Sequence, residues 1–204
     1  MISIVDYGLG NIGAFSNMYK RMNIETQVAK RPDELRSATK VILPGVGAFD
    51  HAMDLLRASG MRETLDELVL DRRVPVLGIC VGMQILAEGS DEGHLPGLGW
   101  IRGRVRAFES VPEARGLPLP HMGWNDVRPA ADSRLFDGLE NEARFYFLHS
   151  YFFECEQADC AAATTQYGID FSCAVHSGNV HGVQFHPEKS HHYGAQLLKN
   201  FAEL

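Results

Sequence analysis

The sequence predicts an α/β protein with an open, mixed and mainly parallel sheet flanked by helices, and with a strand-rich second half. Three observations support this prediction. In the first half, short apolar runs alternate with segments of helical periodicity, as in strand–helix–strand units. The run Val74–Ile79 is largely apolar and β-branched, which is typical of a parallel strand buried on both faces. Beyond Gly99, short runs are separated by Gly, Pro and Asn, which indicates mostly strands.

Length and composition restrict the classes of protein to consider. The 204 residues favour a single domain, 1–204, and a composition of 45% hydrophobic and 22% charged residues argues against a disordered chain. A net charge of −7 argues against a nucleic-acid partner. The longest apolar stretch, Val74–Met83, is too short to span a membrane, and the N-terminus lacks the basic region of a signal peptide. We therefore expect a cytoplasmic protein with no membrane partner.

The elements of the first half follow from apolar runs and their spacing. Four apolar runs predict strands: Ile2–Val5, Ile24–Ala29, Val41–Leu43 and Val74–Ile79. Apolar residues at helical spacing, or a proline suited to a first turn, predict helices: Ala14–Met22, Pro32–Leu35, Leu55–Leu68 with a break near Gly60, and an amphipathic Met83–Glu88.

The second half begins with a turn-rich loop, Gly89–Gly99. Short alternating or apolar runs then predict strands: Trp100–Phe108, Trp124–Val127, Phe145–Phe153, Ala161–Thr165, Ser172–Val175 and Val180–Phe185. A terminal helix, Tyr193–Phe201, is expected from its apolar spacing.

A cysteine flanked by glycines is the sharpest local signal. In the segment 78–82 (GICVG), Cys80 follows a predicted strand and precedes a predicted helix. Glycines two positions before and after a nucleophile permit the tight turn of a nucleophile elbow, which holds that side chain exposed at the sheet edge. The helix N-terminus favours negative charge, and the Val81 N–H would stabilise an oxyanion. The alternative is a buried structural cysteine.

A thiol nucleophile needs a base, and His186 at the end of a predicted strand is the best candidate. Residues two apart in extended backbone point the same way, so Glu188 would lie behind His186 and fix its tautomer. The alternative is a pair of exposed polar residues at a strand end. A metal site at His176, His181 and His186 is disfavoured, because a spacing of five residues fits neither a helix face nor a strand face.

Two glycine-rich segments follow predicted strands. The segment 44–47 (PGVG) allows backbone N–H groups to approach a small anionic group, next to the loop that holds Cys80. It lacks the pattern of a phosphate-binding loop. The segment 8–13 (GLGNIG) has the spacing of a dinucleotide-binding turn, but no acidic residue ends the next strand, so NAD is disfavoured and no cofactor is expected.

Six segments in this order resemble the class I, triad-type glutamine amidotransferases, and more closely the glutaminase subunits of imidazole glycerol phosphate synthase. They are DYGLGN (Asp6–Asn11), PGVG (Pro44–Gly47), GICVGMQ (Gly78–Gln84), PHMGWN (Pro120–Asn125), FLHSY (Phe147–Tyr151) and QFHPEKS (Gln184–Ser190). The resemblance runs from the first strand to the last helix and implies a flavodoxin-like sheet.

The resemblance implies L-glutamine as substrate and a role for each matching residue. Cys80 would attack the glutamine amide, His186 would act as base and Glu188 would orient it. The oxyanion would be held by Val81 and by Gly45, Val46 and Gly47, with a peptide flip at Val46 or Gly47. Glutamine itself would be held by Gln84 and by the backbone around His149, Ser150 and Tyr151.

The resemblance also implies a heterodimer with a cyclase subunit (HisF), a (β/α)₈ barrel through which ammonia would pass. The partner interface would include Asn11, Met122, Trp124, Asn125, Tyr146 and Lys189. The product would be imidazole glycerol phosphate, together with the aminoimidazole carboxamide ribotide, in histidine biosynthesis. We expect low activity from the isolated chain.

Two departures from the family pattern concern the partner-facing region. Pro118 stands where the family usually has Lys, and Ala14 and Phe15 follow the first glycine-rich segment where a basic residue and a serine are common. Related sequences with such changes supply ammonia to an N-acetyl-sugar amidotransferase in surface-polysaccharide synthesis, which is the alternative role. Weaker alternatives are a cysteine peptidase and a non-catalytic binding subunit. The other cysteines, 155, 160 and 173, are interpreted as structural.

Overall fold

A computed structural model describes all 204 residues. The strands are β1 (Ile2–Val5), β2 (Thr26–Ala29), β3 (Lys40–Gly45), β4 (Val76–Cys80), β5 (Gly89–Ser90), β6 (Gly103–Ala107), β7 (His121–Pro129), β8 (Ala143–His149), β9 (Tyr151–Cys155), β10 (Ala161–Tyr167), β11 (Ile169–Ser177) and β12 (Val180–Val183). The α-helices are α1 (Ile12–Arg21), α2 (Pro32–Leu35), α3 (Phe49–Ala58), α4 (Arg62–Asp66), α5 (Val81–Gln84) and α6 (His191–Glu203).

One sheet forms the centre of the fold. Strands β2, β1, β3, β4 and β12 lie side by side and parallel, and β11, β10, β7 and β8 extend the sheet with antiparallel pairing. Strand β9 pairs with β11 and β6, and β6 with the short β5. The prediction of a mixed sheet with a mainly parallel centre, flanked by helices, is confirmed. The parallel strands follow the order of flavodoxin-like folds, whose ligands lie at the carboxyl edge.

The central strands are apolar because they are covered on both faces. All five residues of β4 are buried, as the sequence predicts for its apolar run. A single cluster of buried apolar side chains runs from β1 to α6. The break near Gly60 is present, since α3 ends at Ala58 and Gly60 has a φ of +69°, a conformation that glycine adopts readily.

The predicted amphipathic helix Met83–Glu88 is wrong. The helix is α5, a single turn at Val81–Gln84 whose residues are all buried. The next carbonyls accept hydrogen bonds from another loop instead of from a continuing helix. Leu98 donates to the Ile85 carbonyl, Gly99 to that of Ala87 and Ile101 to that of Leu86. The helix therefore ends because its acceptors are already occupied.

The single strand predicted at Phe145–Phe153 is also wrong, because the structure divides it at Ser150. β8 pairs with β7, whereas β9 pairs with β6 and β11. The His149 ring bonds through Nδ1 to the Tyr151 carbonyl at 2.7 Å, a contact between residues two apart that an extended chain does not make.

Two cysteines are paired in a way that the sequence did not indicate. Cys155, at the end of β9, and Cys160 form a disulfide, which agrees with a structural role for both. Cys80 and Cys173 are free and buried. None of the helices combines the length and apolarity needed to cross a membrane.

Candidate active site

Cys80 occupies a sharp turn between β4 and α5. Its φ of +56° and ψ of −114° are strained for a residue with a side chain. A Cβ on Gly78 would lie 2.5 Å from the Gly82 carbonyl oxygen, and one on Gly82 would lie 1.9 Å from the Leu43 carbonyl oxygen. The turn thus requires both glycines. Cys80 is only 6% exposed, less than the exposed nucleophile that the sequence predicted, because the surrounding loops enclose it.

His186 and Glu188 approach the turn from the neighbouring strand. β12 pairs with β4 in parallel, so the chain beyond β12 emerges at the same edge of the sheet as Cys80. His186 Nδ1 lies 2.9 Å from Glu188 Oε1, and both side chains are buried. Burial alone would lower the pKa of His186, but the Cys80 thiol and the Glu188 carboxylate outweigh it and raise the pKa to about 9. The buried Nε2 of His186 bonds to no other protein group.

A cavity of about 330 Å³ opens onto Cys80 and His186. Its lining contains most of the residues that the sequence predicted for catalysis and substrate binding: Val46, Gly47, Cys80, Val81, Gln84, His149, Ser150, Tyr151 and His186. Lys189, predicted at the partner interface, lines it too, and so do Glu92, Pro120 and Leu148. Glu188 lies behind His186 and outside the lining.

Gly45 is packed under the turn and does not line the cavity. A Cβ on it would lie 2.6 Å from the Gly82 nitrogen and 2.9 Å from the Tyr7 hydroxyl. The next two residues are less crowded, since Val46 is 41% exposed and a Cβ on Gly47 would meet no atom within 4 Å. The N–H groups of Val46 and Gly47 donate to no protein atom, and Gly47 has a φ of +91°. These donors are therefore available to a ligand in the cavity.

Two glutamines connect the cavity floor to the cysteine. Gln84 Nε2 donates to Gln184 Oε1 at 3.0 Å, and Gln184 Nε2 lies 3.9 Å from Cys80 Sγ. Gln84 Nε2 also lies 3.5 Å from the Tyr151 carbonyl oxygen. Sequence reasoning gave Gln184 no role, although it stands two residues before His186.

Two further residues at the site were missed. Glu92 lines the cavity and accepts a hydrogen bond from the Phe49 N–H at 2.9 Å, at the start of α3. The Tyr7 hydroxyl is buried without a hydrogen-bond partner, and burial, together with the neighbouring Cys80, raises its pKa. Tyr7 lies in the DYGLGN segment, which was a signal for it, whereas Glu92 stands in a segment predicted only as a loop.

Most of the residues predicted to face a partner lie at the surface, whereas Asn125 bonds on the inner face of the sheet. Met122 and Trp124 lie on the outer face of β7 and are 65% and 38% exposed, and the Lys189 ammonium lies 5.7 Å from the ring centroid of Tyr146 on β8. Asn11 is exposed at the start of α1. Asn125 is different, since its side chain bonds on the inner face of β7 to His121 and to the Gln166 carbonyl.

The remaining candidates fall outside this site. No group of three or more His, Cys, Asp and Glu side chains is arranged to hold a metal ion. His176 and His181 face each other across β11 and β12 with ring centroids 6.5 Å apart. A larger cavity of about 430 Å³ is lined by residues such as Trp100, Arg102 and His176 and contains none of the predicted catalytic residues.

Comparison with known proteins shows that the whole chain is similar to glutamine amidotransferases. A family profile described as glutamine amidotransferase class-I matches residues 3–204. The imidazole glycerol phosphate synthase subunit HisH of Bdellovibrio bacteriovorus is 65% identical over 204 residues, which cover all of both chains. The subunit of the same name from Leptospira interrogans is 52% identical, also over the full length of both.

Solved structures show the same fold at low sequence identity. A crystal structure of a glutamine amidotransferase superimposes with a TM-score of 0.76 and 20% identity, covering 99% of this chain and 97% of that one. A glutamine amidotransferase from Thermotoga maritima superimposes with a TM-score of 0.64 and 18% identity, covering 99% and 82%.

Proposed function

The chain belongs to the class-I glutamine amidotransferases and, among them, to the HisH subunits of imidazole glycerol phosphate synthase, and from this premise we propose how it works. It hydrolyses L-glutamine to glutamate and ammonia through Cys80, His186 and Glu188, and passes the ammonia to a HisF cyclase subunit. The observation that carries the proposal is that the strained Cys80 turn and His186 meet at one cavity, with Glu188 bonded to His186 from behind.

The first half of the reaction forms a thioester. The Cys80 proton passes to His186, and the sulfur attacks the amide carbon of the glutamine side chain. His186 then gives the proton to the amide nitrogen, the carbon–nitrogen bond breaks and ammonia leaves. Glu188 supports this step by accepting from His186 Nδ1, which leaves Nε2 facing the thiol and favours the charged imidazole.

The second half releases glutamate. Water attacks the thioester carbon while His186 takes a proton from it, and the proton returns to the sulfur as the carbon–sulfur bond breaks. In both halves negative charge develops on the oxygen of the reacting carbonyl. Val81, Val46 and Gly47 line this cavity, and their N–H groups would stabilise that charge once directed at the oxygen.

Glutamine is held by polar groups in the lining of the cavity. Gln84 and the segment His149–Tyr151 line it, which suits the α-ammonium and α-carboxylate groups of the substrate. Glu92 adds a carboxylate to the same lining and thus offers a counter-charge to an ammonium.

A partner barrel has a physical rationale in the chemistry of ammonia. Ammonia is mostly ammonium at neutral pH, and ammonium is not a nucleophile, so a protected route keeps the product reactive. The outer face of the β7–β8 hairpin suits such a partner, because Met122 and Trp124 are exposed apolar side chains beside the cavity-lining Lys189. The polysaccharide role is not favoured, because the relatives at 65% and 52% identity carry the name of the histidine-pathway subunit.

Glutamine hydrolysis tests the proposal. Glutamate release is measured for the purified chain alone and with the cyclase from the same genome and its nucleotide substrate. We expect strong stimulation by the partner, loss of activity in Cys80→Ala, and retention in Cys173→Ala, which removes a buried free cysteine on β11. If Cys80→Ala keeps its activity, the mechanism is wrong. If the cyclase neither binds nor stimulates a chain whose Cys80 reacts with an electrophilic glutamine analogue, the partner is a different one.

A further inference from the structure

Two buried histidines lie at the cavity, one on each strand of the β7–β8 hairpin: His149 lines it and His121 does not. His121 and His149 are directly opposite each other in the pairing of these strands. His121 Nδ1 lies 2.9 Å from His149 Nε2, and His149 Nδ1 lies 2.7 Å from the Tyr151 carbonyl oxygen. At the other end, Asn125 Nδ2 lies 3.3 Å from His121 Nε2. Four groups thus form one continuous hydrogen-bonded chain.

The ends of this chain fix the direction of every hydrogen bond in it. A carbonyl oxygen only accepts, so His149 Nδ1 carries a proton and donates to Tyr151. In neutral His149 the other nitrogen, Nε2, must then accept, so His121 Nδ1 is the donor. His121 Nε2 accepts in turn, which suits the amide N–H of Asn125. Both rings are therefore required to be neutral and protonated at Nδ1.

Packing keeps both rings in this state. The His121 ring lies between Tyr167 and Phe147, with centroid distances of 4.1 and 4.8 Å and interplanar angles of 18° and 22°. Burial lowers the pKa of His121 to about 4 and that of His149 to about 3, so neither is charged at neutral pH. If His149 were charged, its Nε2 would point a proton at the His121 Nδ1 proton; if His121 were charged, its Nε2 would point a proton at the Asn125 amide.

We propose that Asn125, His121 and His149 form a positioning relay that holds the Tyr151 carbonyl, and with it the cavity-lining segment His149–Tyr151, in the geometry that binds glutamine. The proposal rests on the proposed function, since it deepens the account of the same site. His121 touches no substrate in it. It acts as a positioning residue, through His149.

The relay reaches a second part of the cavity as well. The Tyr151 carbonyl that accepts from His149 is the oxygen that lies 3.5 Å from Gln84 Nε2. Gln84 also donates to Gln184, next to Cys80. A shift of the Tyr151 carbonyl would therefore displace groups on two sides of the bound glutamine, while the Cys80, His186 and Glu188 contacts stay intact. This predicts an effect on glutamine binding more than on turnover.

Steady-state kinetics with three variants, in the complex with the cyclase, test the relay. His121→Phe keeps the stacked ring and removes both hydrogen bonds, and we expect KM for glutamine to rise about five- to tenfold with kcat within about twofold. His121→Asn restores a donor near the Nδ1 position, so KM should return to within about threefold of wild type. Asn125→Asp replaces the donor by a carboxylate and should also raise KM. This variant provides the test if His121→Phe does not fold.

Nitrogen-15 NMR reports which ring nitrogen of each histidine is protonated. If the two histidines served only packing, Asn125→Asp would not change that protonation pattern. We expect both histidines of the wild-type chain to be neutral and protonated at Nδ1 at pH 7, and Asn125→Asp to convert His121 to the neutral Nε2-protonated form, whose Nδ1 no longer donates to His149. A charged or Nε2-protonated ring in the wild type, or an unchanged KM in His121→Phe, overturns the relay. Failure of the proposed function is distinct, because the wild-type complex would then release no glutamate at all.

Discussion

Glu188 is the residue whose replacement tests the proposed mechanism most directly. Its Oε1 lies 2.9 Å from His186 Nδ1 in a buried contact, and no other group bonds to that ring nitrogen. The substitution Glu188→Gln keeps the shape of the side chain and removes its charge. We expect the substitution to lower both the pKa of His186 and the rate of glutamine hydrolysis.

The size of the effect follows from the pKa of His186. The pKa is raised to about 9, from about 6.5 for an unperturbed histidine, and each pKa unit corresponds to about 1.4 kcal/mol. This stabilisation of the charged ring, about 3 kcal/mol in total, is shared between Cys80 and Glu188 against the opposing effect of burial. Losing the Glu188 share should lower the pKa toward its ordinary value, and each pKa unit lost should lower kcat/KM about tenfold. Loss of tautomer control adds to this, up to about 10⁴-fold where a triad carboxylate is replaced by an amide.

The assay combines glutamate release with an NMR titration of His186. Glu203→Gln is the matched control, because Glu203 forms only a surface ion pair with Lys199 at 3.8 Å. Stability gives an independent check. Since the folded pKa is raised, the His186 contribution is fully present below pH 6.5 and is lost as pH rises through about 9, so the stability difference between wild type and Glu188→Gln should shrink toward pH 10. Activity within twofold of wild type with an unmoved His186 pKa would refute the reasoning.

Two further predictions concern stability. Gly82→Ala places a Cβ 1.9 Å from the Leu43 carbonyl oxygen and should destabilise the chain by about 3 kcal/mol or more in urea unfolding, whereas Gly13→Ala, on α1 with open space around it, should stabilise by about 0.5–1 kcal/mol. Equal effects would contradict the crowding at the turn. Burial lowers the pKa of His121 to about 4 and that of His149 to about 3, so the stability that depends on the neutral rings is fully present above about pH 6.5 and is lost progressively as pH falls from there toward those values. Unfolding free energy should thus be lower at pH 5 than at pH 7 by about 2 kcal/mol for each ring, and no change would contradict neutral burial.

The parts of the site that the sequence predicted depend on local geometry. The glycines on either side of Cys80 are required by contacts within the turn itself and against β3, so the pentapeptide indicates the turn without knowledge of the rest. His186 and Glu188 also meet through local geometry, but by a 3₁₀ turn at Pro187–Lys189 and not by the extended backbone that the sequence predicted, since β12 ends at Val183.

The parts that were missed depend on contacts between distant segments. Glu92 reaches the cavity because its carboxylate binds the Phe49 N–H, 43 residues earlier, and no periodicity indicates that contact. Helix α5 ends early because N–H groups of the loop that begins at Leu98 donate to the carbonyl groups of residues 85–87, which a longer helix would use. The break at Ser150 separates two strands with different partners, although the apolar run through it is continuous in the sequence.

The contacts around the PGVG segment also determine where it can move. At one end, Gly45 pairs with Cys80 between β3 and β4, and there is no space around it for even a Cβ. At the other end, the Phe49 N–H is held by Glu92, and Asp50 accepts hydrogen bonds from the backbone of the loop that carries Glu92. Between these anchors, Val46 is 41% exposed and a Cβ on Gly47 would meet nothing. A rearrangement that redirects N–H groups toward the oxyanion is therefore confined to residues 46–48, and it leaves the strained Cys80 turn in place.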